Sequence, residues 1–165
     1  MKKSLFPLLL IVMIFAFASC TIQSHGDTLY GFTQRMNELS DTYELNEAGY
    51  IFDQKSHTLS RFYKFNEKEI LLQFKMNTEN ILTEMNVVFM ENYVEGTDEF
   101  NFIKNSISAF IDDEETEKAL FSEKALSELL KVTDNHTVKI NKGDTQLLLD
   151  VTDSGTVITV VKNSP

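Results

Sequence analysis

The chain has 165 residues, 42% of them hydrophobic and 11% aromatic, with 25 acidic against 15 basic side chains and a formal charge of −10 at pH 7. That length suits one domain with a sizeable core. The acid excess argues against nucleic acid as a partner, because phosphate binding needs clustered cations. One cysteine allows no internal disulfide and no thiolate zinc cluster.

The N-terminus reads as an address. Met1-Lys2-Lys3 is a short positive region, and Leu5 to Ala18 is a run of about fourteen mostly apolar residues interrupted by Pro7. A bilayer span needs about 20 such residues, so this run has the length of a secretory signal core rather than a membrane helix. Phe17-Ala18-Ser19-Cys20 then resembles the lipobox of bacterial lipoproteins: an apolar residue, two small ones and a cysteine. The resemblance covers the first 20 residues and departs from the usual pattern at Phe17, where leucine is common. It implies a diacylglyceryl group on the Cys20 sulfur and cleavage just before that residue. Residues 1–19 are then the signal peptide, 20–27 a lipidated tether and 28–165 a single domain. Removing Lys2 and Lys3 with the signal leaves 13 basic residues against 25 acidic ones, a charge of −12. An anionic membrane surface repels that charge, so acyl chains on Cys20 would do the anchoring. The expected location is the cell membrane or outer membrane, outside the cytoplasm.

Along the domain, Leu29, Phe32, Met36, Leu39 and Tyr43 recur at steps of three and four, which predicts a helix with one apolar stripe, capped by Asp27 or Thr28. Glu44 to Phe52 reads as a weak first strand. Leu59 to Phe65 is an aromatic-rich strand. Ile70, Leu72, Phe74 and Met76 alternate, and so do Ile81, Thr83, Met85, Val87 and Phe89. Period two over these lengths predicts half-buried antiparallel strands joined by short turns. After Glu95-Gly96-Thr97 a helix carries Phe100, Ile103, Ile107, Phe110 and Ile111, and a further helix carries Ala119, Leu120, Leu126, Leu129 and Leu130. Three strands close the chain, at 137–140, 145–151 and 156–162, with turn chemistry at 141–144 and 153–155.

The expected fold is α+β: an antiparallel, curved sheet with helices packed on one face, organised as two helix-plus-meander repeats. The element order is similar to that of the β-lactamase-inhibitor-protein fold, a likeness of order that transfers no site.

The residues offer little catalytic chemistry. His25, His57 and His136 fall in a tether, a turn and a loop, with no pair at helical spacing. There is no nucleophile elbow, phosphate-binding loop or dinucleotide fingerprint. Ser106, Ser108 and Ser122 have no base nearby in sequence. The run Asp112-Asp113-Glu114-Glu115 lacks the alternate spacing and central glycine of a calcium loop, and suits the positive start of the next helix. Neither a cofactor, a metal nor a catalytic residue is assigned.

Phe62 and Tyr63 are the candidate binding surface. As strand neighbours they point to opposite faces, so one of them lies away from the main helices. Ser60 and Lys64 share the parity of Phe62, which marks it as the more exposed of the two. The function expected is therefore a lipid-anchored envelope protein, a non-catalytic binding or inhibitor-like module, with an envelope protein or a small ligand as its partner. An envelope enzyme with scattered residues and a structural subunit of a surface assembly remain as alternatives.

Overall fold

The period-two stretches become strands, and the 3.6-residue stripes become helices. A computed structural model describes residues 27–65, 67–90, 96–120, 136–152 and 155–162. Its elements are α1 (Leu29–Glu38), β1 (Ile51–Asp53), β2 (Thr58–Phe65), β3 (Lys68–Met76), β4 (Leu82–Phe89), α2 (Asp98–Ile111), α3 (Glu114–Leu120), β5 (His136–Lys142), β6 (Thr145–Thr152) and β7 (Gly155–Lys162). The strands make one open antiparallel sheet in the order β1-β2-β3-β4-β7-β6-β5. The fold is α+β. Cys20, His25, Ser122, Leu126, Leu129 and Leu130 lie outside the described residues.

Each meander gives its last strand to the centre. β4 and β7 pair antiparallel from Glu84↔Val161 to Phe89↔Thr156. β2-β3-β4 on one side and β5-β6-β7 on the other thus flank this seam in mirrored order, the arrangement two helix-plus-meander units would give.

The core lies between the sheet and α1 and α2. Ile70, Leu72 and Phe74 of β3, Met85 and Val87 of β4, and Ile158 and Val160 of β7 are buried against Phe32 and Met36 of α1 and against Phe102, Ile103 and Ile107 of α2. Aromatic rings hold the centre. Phe32 meets Phe74 edge-on at 4.7 Å, and Phe102 receives Tyr63 and Phe65 at 4.8 and 4.9 Å. Each such burial contributes about 1.5–3 kcal/mol, before the additional gain from edge-to-face geometry.

Caps set the helix ends. The Thr28 hydroxyl accepts the Gly31 N–H at 3.1 Å, and the Thr97 hydroxyl accepts that of Phe100 at 3.3 Å. α2 stops at Asp112, which adopts the left-handed conformation (φ 53°) and returns its N–H to the Ser108 carbonyl. Arg35 then ties the two helices together, donating through Nε to the Ala109 carbonyl at 2.6 Å and pairing with Asp112 at 3.1 Å.

Three details depart from the pattern read in the sequence. α1 ends at Glu38 rather than carrying its stripe to Tyr43, because the Ser40 hydroxyl accepts the N–H groups of Thr42 and Tyr43 and offers the backbone a local alternative to the helix. Tyr43 still reaches the core from the loop, 5.3 Å from Phe102. Glu44 to Tyr50 is not strand: the Asn37 side chain bonds both backbone groups of Leu45 where a sheet neighbour would, accepting its N–H at 2.6 Å and donating to its carbonyl at 2.9 Å. The third departure is in β4. A register shift opposite Lys75 and Met76 places Leu82, not Ile81 or Thr83, on the core side ahead of Met85.

Candidate functional site

The core takes one face of the sheet, and the side chains of opposite parity make up the other. The registers align them in rows across the strands. One row runs Phe62, Leu71, Val88 and Val157 and continues to the polar pair Asp150 and Thr137. Four consecutive apolar residues on the face away from α1 and α2 are unusual for a sheet with one solvated side, where polar residues normally stand.

Phe62 is 65% exposed in this row. Ile51, opposite Ser60 in the register and diagonal to Phe62, is 72% exposed, as is Met90 beyond the end of β4. These three are half of the six exposed large apolar side chains among the described residues. Met90 lies beside Gly155, where an added Cβ would stand 3.1 Å from its Sδ. The bare glycine gives the thioether room to lie along the sheet.

The next row is polar and internally satisfied. Gln73 donates to the Ser60 hydroxyl at 3.2 Å, Thr159 donates to Asn86 Oδ1 at 2.6 Å, and Asn86 donates to Glu84 Oε1 at 3.1 Å. At the outer side of the same row Leu148 faces Lys139. Charges on this face include two opposed pairs, Lys64 across from Glu69 and Lys75 across from Glu84, and beside them Lys139 against Asp150 and Asp53. The face therefore carries little net charge, although the chain as a whole is strongly acidic. The apolar row is thus bordered on one side by polar groups bonded to one another.

Tyr63 is placed on the other side. Its ring packs on Phe102, and its hydroxyl meets that of Tyr50 at 2.9 Å. Burial raises the pKa of both phenols, most strongly that of Tyr50. The pair stays protonated through the physiological range and supplies no base. Arg61 shares the parity of Tyr63 and so lies on the core side of β2. Its guanidinium covers the Tyr63 ring at 4.8 Å and the Tyr50 ring at 5.7 Å. Nη1 donates to the carbonyls of Asn46, at 3.0 Å, and of Ala48. Gly49, with φ 85°, bends the loop so closely around it that a Cβ there would touch the guanidinium at 3.5 Å. Arg61 pins the loop 46–50 to β2, and its signal was the glycine and asparagine clustered upstream.

The other candidate groups do local work or stand apart. His57 is exposed in a turn with φ 52°, its ring 6.3 Å from Phe52. Ser106 is buried and donates its hydroxyl to the Phe102 carbonyl of its own helix at 2.8 Å. Ser108 is buried on the same helix. In the acidic run, Asp112 pairs with Arg35, Asp113 accepts the Thr116 N–H at 2.9 Å, and Glu114 pairs with Lys118 one turn on. The hydrogen bonds from Thr116 hold the Asp113 carboxyl below the usual carboxylate range. Among the described residues no three His, Cys, Asp or Glu gather in a metal-ligating set, and no helix is long and apolar enough to cross a membrane.

The chain matches no family model, no curated protein and no solved structure.

Proposed function

We propose that this protein is a lipid-anchored binding module of the bacterial cell envelope, tethered through Cys20 and engaging a protein partner through the open face of its sheet. The observation that carries the binding reading is the row Phe62-Leu71-Val88-Val157, apolar over four strands with Phe62 standing out of it. An exposed aromatic side chain on an apolar row, beside polar groups already bonded to one another, has the composition of an interface anchor. The anchor is supported by the first 20 residues, whose charge, apolar run, small residues and cysteine agree with one another.

A photoreactive side chain in place of Phe62, in the full chain in its own cells, tests the face. The expected result is one discrete adduct that disappears when Val157→Lys is added, while the same group at Glu38 on α1 gives none. No adduct at position 62, or equal labelling at both positions, overturns the binding reading. The mass of the N-terminal peptide tests the anchor: an acylated Cys20 at its start is expected, and an unmodified Cys20 within a longer chain ends that reading. In Cys20→Ala the protein leaves the membrane fraction.

A further inference from the structure

The place where the chain enters the domain decides which end of the sheet lies nearest a lipid on Cys20. Asp27 stands just ahead of the Thr28 cap of α1, and its carboxylate pairs with Lys162 Nζ at 2.5 Å. Lys162 ends β7, and its ammonium also lies 5.3 Å above the Phe110 ring. The pair therefore fixes the domain's entry point at the C-terminal end of β7.

The registers say what else is at that end. Lys162 faces Thr145, which faces Lys142. Val161 faces Glu84, which faces Lys75, which faces Thr58. The turns 54–57, 77–81 and 143–144 therefore share one end of the sheet with Asp27. β2, β4 and β6 finish at the other end, about 23 Å away along the seven steps of an eight-residue strand. From Cys20 to Asp27 the chain takes seven Cα steps, which span at most about 25 Å in any conformation. The far end could touch the bilayer only with those residues drawn out almost to their limit and the domain inverted.

Resting on the anchor proposed above, we infer that the domain sits with the turns 54–57, 77–81 and 143–144 toward the lipid headgroups. The strands rise away from the membrane, and the open face is turned sideways to a partner standing on the same membrane. These turns carry Lys55 against Glu79 and Asp144, with Lys142 and Asp53 beside them. With so small a net charge, anionic headgroups are neither strongly attracted nor repelled, and the tether sets the orientation.

The test uses the full lipidated chain on phosphatidylethanolamine–phosphatidylglycerol vesicles. Its one native thiol is consumed by the lipid, so an introduced cysteine takes a dye alone. Lys55→Cys, Glu79→Cys and Asp144→Cys are expected to transfer energy to a headgroup-labelled lipid at least twofold more efficiently than Glu67→Cys and Asp98→Cys. Adding Lys162→Met is expected to flatten that gradient. Equal transfer at all five positions, or a reversed order, overturns the orientation. An unchanged gradient with Lys162→Met overturns the ion pair as its cause. Flotation separates this from the anchor itself: a chain that does not float with the vesicles lacks the lipid, and both inferences then fail together.

Discussion

Phe62 and Tyr63 are neighbours in β2 with opposite surroundings: the first is 65% exposed on the open face, and the second packs 4.8 Å from Phe102 beneath α2. Their truncations separate cleanly. Phe62→Ala is expected to change stability by less than about 1 kcal/mol, the range of surface substitutions. Tyr63→Ala, which removes the ring packed on Phe102 and covered by the Arg61 guanidinium, should cost roughly 2 kcal/mol or more. Denaturant unfolding of both variants checks this, and a larger loss at Phe62 would mean that a cover lies on the open face.

Phe74 is the central ring of the core, fully buried and touching Phe32, Tyr50 and Phe110. Phe74→Ala should destabilise the domain by roughly 3–5 kcal/mol. A loss below about 1 kcal/mol would contradict the packing of β3 against α1.

Gly155 begins β7 with φ 141°, and a Cβ there would lie 2.8 Å from the Phe89 carbonyl oxygen. Backbone cannot give way as a flexible side chain can, so Gly155→Ala should cost more than about 1 kcal/mol. The loss should appear in the β4–β7 seam. Amide hydrogen exchange should accelerate at Val87 and Val157 more than in β2.

The buried phenols predict a sensitivity to alkali. Burial holds the pKa values of Tyr50, Tyr63 and Tyr43 above their ordinary value. An unfolded chain releases these protons near pH 10 and the folded one keeps them, so the unfolded state binds fewer protons there and stability falls as pH rises. The contribution is complete below about pH 10 and is lost above it. Unfolding free energies from pH 8 to 11 should decline, and less steeply in Tyr50→Phe. A Tyr50→Phe profile parallel to the parent's would remove this phenol as the cause.

The helix caps make a smaller prediction. Thr28→Ala and Thr97→Ala should each cost about 1 kcal/mol, because each hydroxyl accepts an N–H that its helix cannot satisfy. Thr28→Ser should recover most of the loss, as read by thermal unfolding.

Much of the fold could be read from local pattern. Alternation is a property of neighbouring residues, so β3, β6 and β7 stood out in the sequence, as did the stripe Phe100-Ile103-Ile107-Phe110 of α2. The opposed orientations of Phe62 and Tyr63 follow from the same two-residue repeat. What could not be read depends on contacts distant in sequence. Asn37 binding Leu45, Arg61 holding the 46–50 loop and the bulge that brings Leu82 inward each need a partner whose position the local pattern does not specify. The apolar row is of this kind. Leu71, Val88 and Val157 look unremarkable within their own strands and become a surface once the registers bring them beside Phe62.

The β4–β7 seam also governs how the chain acquires its shape. The two strands that complete the middle of the sheet are separated by α2, α3, β5 and β6, and Glu84 finds its neighbour at Val161. Until residues 155–162 emerge, β4 has an unpaired edge and the N-terminal meander has half a sheet. Closing so long a loop is entropically slow, and folding rates fall as such distant pairings come to dominate. A nascent chain of this topology therefore cannot close the middle of its sheet until its last strand is made.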